Sequence, residues 1–483
     1  MIRIDGVRWT YSGADAPTLD GLTLHVRPGE TVVLCGPSGS GKSTALRLMN
    51  GLIPHFHEGR LEGTVHLDGQ AVADLSLDRL GRRTGTVLQH PRRQFFTDEA
   101  EAELAFALEN FGEPPERIRE RVTTVIDEHR LRGLTDRRLQ ELSGGQQQQV
   151  ACAAAAAHRP PVLLFDEPTS NLSAAAIERF TATLARLRAD GATIVIAEHR
   201  LHFLRGIADR VVALRAGRVD AVWRGEEFAA LDDDTLSAEG LRSLAPVPRP
   251  VPPRACAHGP SIDGDTPSAG VLANAGAGVT LRDVRCAFHG RRVLDIREAY
   301  LPAGTVTAVT GPNGAGKSTL ARILTGLQRH DGEVLLDGRR LSRTHRQRVS
   351  AIVMQDVQRQ LFTDSVGAEL RLDASGDAAP EDERSRALLR DLDLEPLSSR
   401  HPLSLSGGQQ QRLVVAAARL SARRIVVFDE PSSGVDRRHL HSITQVMRDL
   451  AGEGVVVLLI SHDDELLTLA TDQELKLRLI DGA

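Results

Sequence analysis

Two nine-residue strings, GPSGSGKST at residues 36–44 and GPNGAGKST at 311–319, hold the residue types that bind phosphate. Glycines let backbone N–H groups close around an oxyanion, and the lysines, Lys42 and Lys317, add a mobile positive charge that reaches β- and γ-oxygens. The hydroxyls that follow, Ser43 and Ser318, are placed to ligate Mg2+. Each string follows a short apolar run, TVVLC at 31–35 or TVTAVT at 305–310, and opens a helical pattern. That context adds the positive potential of a helix N-terminus and points to a nucleotide phosphate chain. The binding residues are expected to be Gly36, Ser38, Gly39, Gly41, Lys42, Ser43 and Thr44, with Gly311, Asn313, Gly314, Gly316, Lys317, Ser318 and Thr319 in the second string.

Acids follow in LLFDEPTS (163–170) and VVFDEPSS (426–433). Asp166 and Asp429 end apolar strands, where a carboxylate can reach the Mg2+ shell; Glu167 and Glu430 come next, placed to polarise a water for attack on a γ-phosphate. Adjacent buried carboxylates are costly unless a cation or substrate compensates, whereas helix capping accounts for one acid at most. His199 and His462 stand 32 residues beyond Glu167 and Glu430. One histidine says little, but the recurrence assigns both a hydrogen bond to the γ-phosphate that also holds glutamate and water in line.

These repeats show a duplicated chain. The offset between equivalent residues falls from 275 at the lysines (Lys42, Lys317) to 266 at the glutamines (Gln89, Gln355), then stays at 263 from Ser143/Ser406 through His199/His462. The second copy has therefore lost residues between its lysine and its glutamine. At 483 residues two domains are expected, spanning 1–244 and 279–483. Between them 245–278, with seven prolines and no helical or strand period, cannot bury enough apolar surface to order itself and reads as a flexible linker. Continuous apolar runs such as VLLFD, TIVIA and IVVFD are strands buried on both faces, so each half is an α/β domain around a mainly parallel sheet. The net charge of −5 argues against a surface built to coat nucleic acid. The longest apolar run, VVVLLI at 455–460, is far too short to span a bilayer. MIRIDGVRW has no secretory-signal pattern. Cys35, Cys152, Cys256 and Cys286 lack C-x-x-C spacing and read as free thiols in a reducing cytoplasm.

With LSGGQQQQV at 142–150 and LSGGQQQRL at 405–413 added, both halves resemble the nucleotide-binding domains of ABC ATPases, whose signature is LSGGQ. The resemblance covers the chain apart from the linker. It implies P-loop NTPase domains with an antiparallel β part and an inserted helical subdomain, ATP and Mg2+ as cofactors, and ATP hydrolysis. It also implies head-to-tail pairing, the signature of one half completing the other's phosphate site. Site one would join Lys42, Ser43, Gln89, Asp166, Glu167 and His199 to Ser406, Gly407, Gly408 and Gln409. Site two would join Lys317, Ser318, Gln355, Asp429, Glu430 and His462 to Ser143, Gly144, Gly145 and Gln146. The glutamines stand at the Mg2+ edge, and Tyr11 and Phe288 at the positions where the family stacks adenine. The first half departs from the pattern where Ser173 replaces the loop aspartate kept as Asp436, and where Gln149 stands against Arg412. Both departures belong to the surface offered to site two, so site two is expected to hydrolyse more slowly.

The glutamine loops (89–110 and 354–370) and the segment 50–69 resemble the paired ATPases of energy-coupling-factor importers of vitamins, their precursors or metal ions. That family works with a transmembrane coupling protein and a membrane substrate-binding subunit, which implies residence at the cytoplasmic face of the membrane. Phe95, Phe96, Leu361 and Phe362 are candidates for gripping the coupling protein or for core packing. His55 and His57 lack further ligands nearby for a metal site. The rivals are a soluble tandem ABC ATPase acting on ribosomes or DNA and a sugar-importer tandem. The linker lacks the charged helical character of the first, no paired cysteines build a zinc insertion, and the second motif set is too complete for the last.

Overall fold

The computed structural model describes residues 1–170, 172–244, 277–288, 290–354, 357–372 and 383–480. The chain forms two compact units, Met1–Ala245 and Pro246–Ala483. The expected linker falls almost wholly outside the described residues, as do Gln355 and Cys256.

In the first unit, apolar runs too short for helices and rich in Val and Ile form a six-stranded sheet. Its order is Arg218–Arg224, Arg210–Arg215, Thr31–Cys35, Thr193–Ala197, Val162–Asp166 and Thr84–Val87. All neighbours are parallel except the first two, which form an antiparallel hairpin at the edge. Thr31–Cys35 and Thr193–Ala197 are buried at every position, as strands covered on both faces must be. One face packs on the helix Lys42–Met49 and on a second, antiparallel sheet ordered Leu19–Val26, Ile2–Tyr11, Gly59–Leu67, Gln70–Ala71, with Trp9 fully enclosed between them. The other face packs on the helices Gly144–Ala156 and Ala174–Ala189 through Leu163, Phe165, Ile177 and Phe180. Each such side chain removed from water contributes roughly 1.5–3 kcal/mol.

The inserted helical part comprises Ala100–Asn110 and Pro115–Glu128, whose Leu104, Leu108, Val122 and Val125 meet Val150 and Ala153 on the signature helix Gly144–Ala156. The signature helix therefore belongs to both cores. Its seat against the sheet is tight: a methyl group at Gly85 would lie 2.1 Å from the Ala155 carbonyl oxygen.

The second unit repeats the plan with a shorter sheet. Five parallel strands run in the order Ser350–Val353, Ile425–Asp429, Val456–Ile460, Val306–Thr310, Gln473–Lys476. The companion antiparallel sheet is Arg291–Pro302, Gly278–Phe288, Asp331–Leu336, Arg339–Arg340. Its second strand starts at Gly278, inside the segment read as linker.

His129 sits just past Pro115–Glu128, 4% exposed, and its carbonyl oxygen accepts a 2.6 Å hydrogen bond from Gln149 Nε2 of the signature helix. Burial, and then the charges of Arg186 and Arg121, push its imidazole down to about 3 from the usual 6.5. The folded state thus resists a proton that the unfolded chain accepts below pH 6.5, so its contribution to stability, complete above that pH, is lost progressively between 6.5 and about 3, at about 1 kcal/mol per unit at first. His129→Leu should therefore gain on the wild type in thermal unfolding midpoint as pH is lowered from 7.5 to 5.5. A gap independent of pH would rule this out.

Candidate functional site

The phosphate loop of the first unit bridges the strand Thr31–Cys35 and the helix Lys42–Met49. Gly36 and Gly41 have φ of 126° and 100°, and Cβ atoms there would lie 2.1 Å from the Leu214 carbonyl oxygen and 2.6 Å from Leu19 Cδ2. Both positions exclude side chains by conformation and by space. Lys42 is buried and its Nζ donates to the Gly36 and Pro37 carbonyl oxygens, each at 3.0 Å. Lys317 repeats the arrangement on Gly311 and Pro312 at 2.8 and 3.1 Å. Neither helix has an acid in its first turn, which leaves its N-terminal potential open to an anion.

Ser43 Oγ donates to Asp166 Oδ1 at 2.8 Å, and Ser318 makes the equivalent bond to Asp429. Burial pushes the Asp166 carboxyl up to about 6, helped by the charge of Glu167 and opposed by the Ser43 bond, Arg47 and Lys42. Asp429 is raised by burial in the same way. Burial also works to raise Glu167, but His199, and beyond it Lys42 and His90, outweigh this and hold it below the usual carboxylate range. Glu167 and Glu430 sit in left-handed backbone, at φ of 46° and 54°. Such a conformation costs on the order of 1 kcal/mol for a side chain of this size. It persists in both copies because each glutamate N–H still donates across the sheet, to Ala197 O and Ile460 O, both at 2.8 Å.

Around Glu167, Gln89 Nε2 donates to Oε2 at 2.7 Å and His199 Nε2 lies 3.4 Å from Oε1. Three separate stretches of the sequence, Gln89, the adjacent Asp166 and Glu167, and His199, thereby meet at the end of the strand Val162–Asp166. In the second unit His462 Nε2 is 3.9 Å from Glu430 Oε1, while Ser461 Oγ and the His462 N–H each donate to Glu430 Oε2 at 3.3 Å.

One participant was missed in the sequence. At the position of Ser461 the first copy has Glu198, fully enclosed. Its Oε1 accepts the N–H groups of His199 and Arg200 at 2.7 and 3.1 Å, and its Oε2 those of Thr169 N and Oγ1 at 3.2 and 2.7 Å. Burial and then the Glu167 charge raise its pKa. The backbone donor that reaches the glutamate in the second copy is thus taken by Glu198 in the first. The pair EH at 198–199 against SH at 461–462 was the available signal.

Ser143 and Ser406 start their helices in capping boxes: each Oγ accepts from the N–H three residues on at 3.4 Å, and Gln146 and Gln409 return Oε1 to the serine N–H at 2.9 Å. These bonds stay local, so the signature is a capped helix start within its own unit. A Cβ at Gly145 would lie 3.1 Å from Ala176 Cβ, so this glycine also lets the neighbouring helix approach. Asp436 caps Arg437–Gly452, accepting from His439 N at 2.9 Å, whereas Ser173 gives its helix no side-chain cap.

Tyr11 ends its strand with Oη 3.2 Å from Thr44 Oγ1, accepting from Arg47 Nη1 at 2.9 Å, beside a concavity of about 430 Å³ lined by Thr10, Tyr11, Ser12, Gly59 and Arg60. Phe288 ends the corresponding strand, 39% exposed. His55 Nε2 is 3.0 Å from Val72 O and His57 packs edge-on to Tyr11, so both are engaged in packing. The four apolar loop candidates separate: Leu361 is buried and Phe95 packs on the core, while Phe96 and Phe362 are 74% and 78% exposed. Their loops are rigidly held. Glu103 Oε2 accepts from Phe96 N, Thr97 N and Thr97 Oγ1, all at 3.0 Å, and Glu369 does the same for Phe362 and Thr363 at 2.7–3.1 Å.

The family described as ABC transporter matches the chain twice, over residues 19–170 and 294–433. A Treponema denticola protein named as an ABC transporter ATP-binding protein is 36% identical over 470 residues, 97% of this chain and 93% of that protein. A Streptomyces coelicolor protein of the same description is 36% identical over 510 residues, 96% and 90% of the two. A chain from the structure of ribosome-bound archaeal Pelota and ABCE1 has a TM-score of 0.66 at 22% identity, covering 98% of this chain and 78% of that one, a likeness of fold alone. Two matched regions, each containing a phosphate loop, a strand-end acid pair and a capped signature helix, place this chain in the ABC transporter family as a tandem ABC ATPase, an enzyme that hydrolyses ATP.

Proposed function

We propose that the chain is the ATP-hydrolysing subunit of an energy-coupling-factor type importer, held at the cytoplasmic face of the membrane by partner subunits, with 1–244 and 279–483 as its ATPase domains joined by 245–278. The observation that carries this reading is the pair of exposed phenylalanines, Phe96 and Phe362, at equivalent places in the two halves on loops that buried Glu103 and Glu369 lock in position. An exposed aromatic fixed at a defined spot, and repeated, fits a surface that grips an apolar partner. No helix among the described residues is long and apolar enough to cross a membrane; a coupling protein and a substrate-binding subunit would supply that path.

Each half contributes a phosphate loop whose lysine exchanges carbonyl partners for β- and γ-oxygens as nucleotide enters. The signature of the other half supplies a helix N-terminus to the γ-phosphate. Tyr11 and Phe288 border adenine. Glu167, held ionised by His199, accepts a proton from the attacking water while Gln89 orients its carboxylate; Glu430 and His462 act likewise. The hydroxyl, carboxylate and amide oxygens of Ser43, Asp166 and Gln89 suit a hard divalent cation, and burial that raises the Asp166 carboxyl, only partly offset by Ser43, Arg47 and Lys42, favours a cation beside it. Those residues, and Ser318, Asp429 and Gln355 in the second half, would hold Mg2+, which when bound neutralises developing phosphate charge.

Lys42→Ala should weaken ATP binding about 10- to 100-fold, the value of a lost charge-assisted contact, measured by nucleotide titration. The double variant Glu167→Gln/Glu430→Gln should keep ATP bound and lose about 10²- to 10⁴-fold in turnover; undiminished turnover rejects these bases. Of the single variants, Glu430→Gln should retain the higher rate, because the uncapped Ser173 helix lies in the half that serves site two. Equal residual rates contradict the asymmetry. Phe96→Ser/Phe362→Ser should abolish co-purification with membrane proteins while ATP binding persists. Recovery of the wild type with ribosomes instead would favour the soluble tandem ATPase.

A further inference from the structure

The second unit holds a cavity of about 550 Å³ apart from the residues assigned to nucleotide. Arg329 and His330 reach it from the loop ahead of the strand Asp331–Leu336, Arg340 from the strand Arg339–Arg340, and Arg343 and Arg346 from the helix Arg343–Val349. No acidic side chain lines it. Glu333, 3.5 Å from Arg340, is the one carboxylate in ion-pair reach of these four arginines among the described residues.

Arg346 is the anomaly. It is 5% exposed; Nη1 lies 3.4 Å from the Leu341 carbonyl oxygen, and buried Nε has no partner. Arg343 spends one donor on Gly326 O at 2.9 Å. Burial, and then the charge of Arg343, lower the Arg346 pKa, the mark of a cation out of water beside another cation. A solvated basic face explains Arg329, Arg340 and Arg343, which are exposed, but not a guanidinium enclosed without a counter-ion.

The duplication supplies the comparison. At the offset of 266 that relates Gln89 to Gln355, Arg343 and Arg346 correspond to Leu77 and Leu80. Leu80 lies wholly inside the first unit's core. The second copy thus fills an apolar seat of the same helix with a charge, and the arginines converge on a space within the 300–1,000 Å³ of small-ligand sites.

We propose that this cavity binds a phosphate-bearing anion, either a free phosphorylated small molecule or the headgroup of an anionic phospholipid. Planar guanidinium donors match tetrahedral phosphate oxygens two at a time, and several arginines together suit a group carrying more than one negative charge. This site is independent of the nucleotide sites and of the transport reading.

The test uses the full chain with Mg-ADP saturating both nucleotide sites. Pyrophosphate is titrated by calorimetry, and flotation is measured with phosphatidylglycerol vesicles against phosphatidylcholine vesicles. Arg343→Leu/Arg346→Leu, which installs the first copy's residues, should weaken one of these bindings at least tenfold and leave ATP turnover intact. Loss of pyrophosphate binding identifies a free ligand; loss of vesicle binding alone identifies a headgroup. Should that variant fold poorly, Arg329→Ala/Arg340→Ala, both at exposed positions, must show the same loss. Wild type and variants that bind both probes equally, or a wild type that binds neither, overturn the proposal.

Discussion

Each half is organised around two adjacent carboxylates at the end of a buried sheet strand. The strand Val162–Asp166 delivers Asp166 and Glu167 to one end of a sheet whose interior is Val, Ile, Leu and Phe, where like charges cannot be screened by water. The chain manages this with unequal environments. Asp166 is raised and leans on the Ser43 hydroxyl, while Glu167 is turned by a left-handed backbone towards His199 and Gln89. That division separates a group suited to face a cation from one suited to take a proton. The neighbouring elements follow from it: the phosphate loop must bring Ser43, the next strand must end at His199, and the glutamine loop must return Gln89.

The same loop links this chemistry to the outer surface. Beyond Gln89, Arg92 Nε donates to Gln147 Oε1 of the signature helix at 3.1 Å, and in the second unit Gln358 Nε2 donates to Gln410 Oε1 at 3.0 Å. A few residues further on, Glu103 and Glu369 fix the tips that expose Phe96 and Phe362. Each exposed phenylalanine thus sits in a loop that also carries a polar contact to the signature helix. These links differ in detail, arginine to glutamine in one copy and glutamine to glutamine in the other, yet occupy matching places.

Much of this was legible in the sequence because it rests on local rules. Gly-x-x-x-x-Gly-Lys-Ser after an apolar run is a strand, a loop and a helix, and the presence of the buried strands follows from continuous apolarity bounded by motifs, whereas their order in the sheet does not. Glu198 escaped attention because an isolated glutamate before a histidine is locally unremarked; only folding shows it enclosed and taking four donors. Leu361 and Phe96 likewise look alike in sequence and differ in the structure, one inside the core and the other on the surface. The signature was legible as a motif, but the capping use of Gln146 and Gln409, which commits their carbonyl oxygens, emerges from geometry.

Duplication makes the remaining differences informative, since two copies of one plan serve as controls for each other. The backbone N–H just past the strand Thr193–Ala197 goes to Glu198 in the first copy, and the one just past Val456–Ile460 goes to Glu430 in the second, and the helix after the acid pair is capped by Asp436 but not by Ser173. The side chain that seats the small helix before the glutamine loop is Leu80 in one half and Arg346 in the other. None of these changes breaks the sheet or the phosphate loop: the first two lie at element ends, where backbone donors and side-chain identity vary without disturbing the packed interior, and the third lies mid-helix, where the second copy places a buried arginine in an apolar seat. Such divergence alters charge and hydrogen bonding at the strand ends and beneath one small helix while leaving the fold intact, and that is where two otherwise equivalent ATPase halves can acquire different duties.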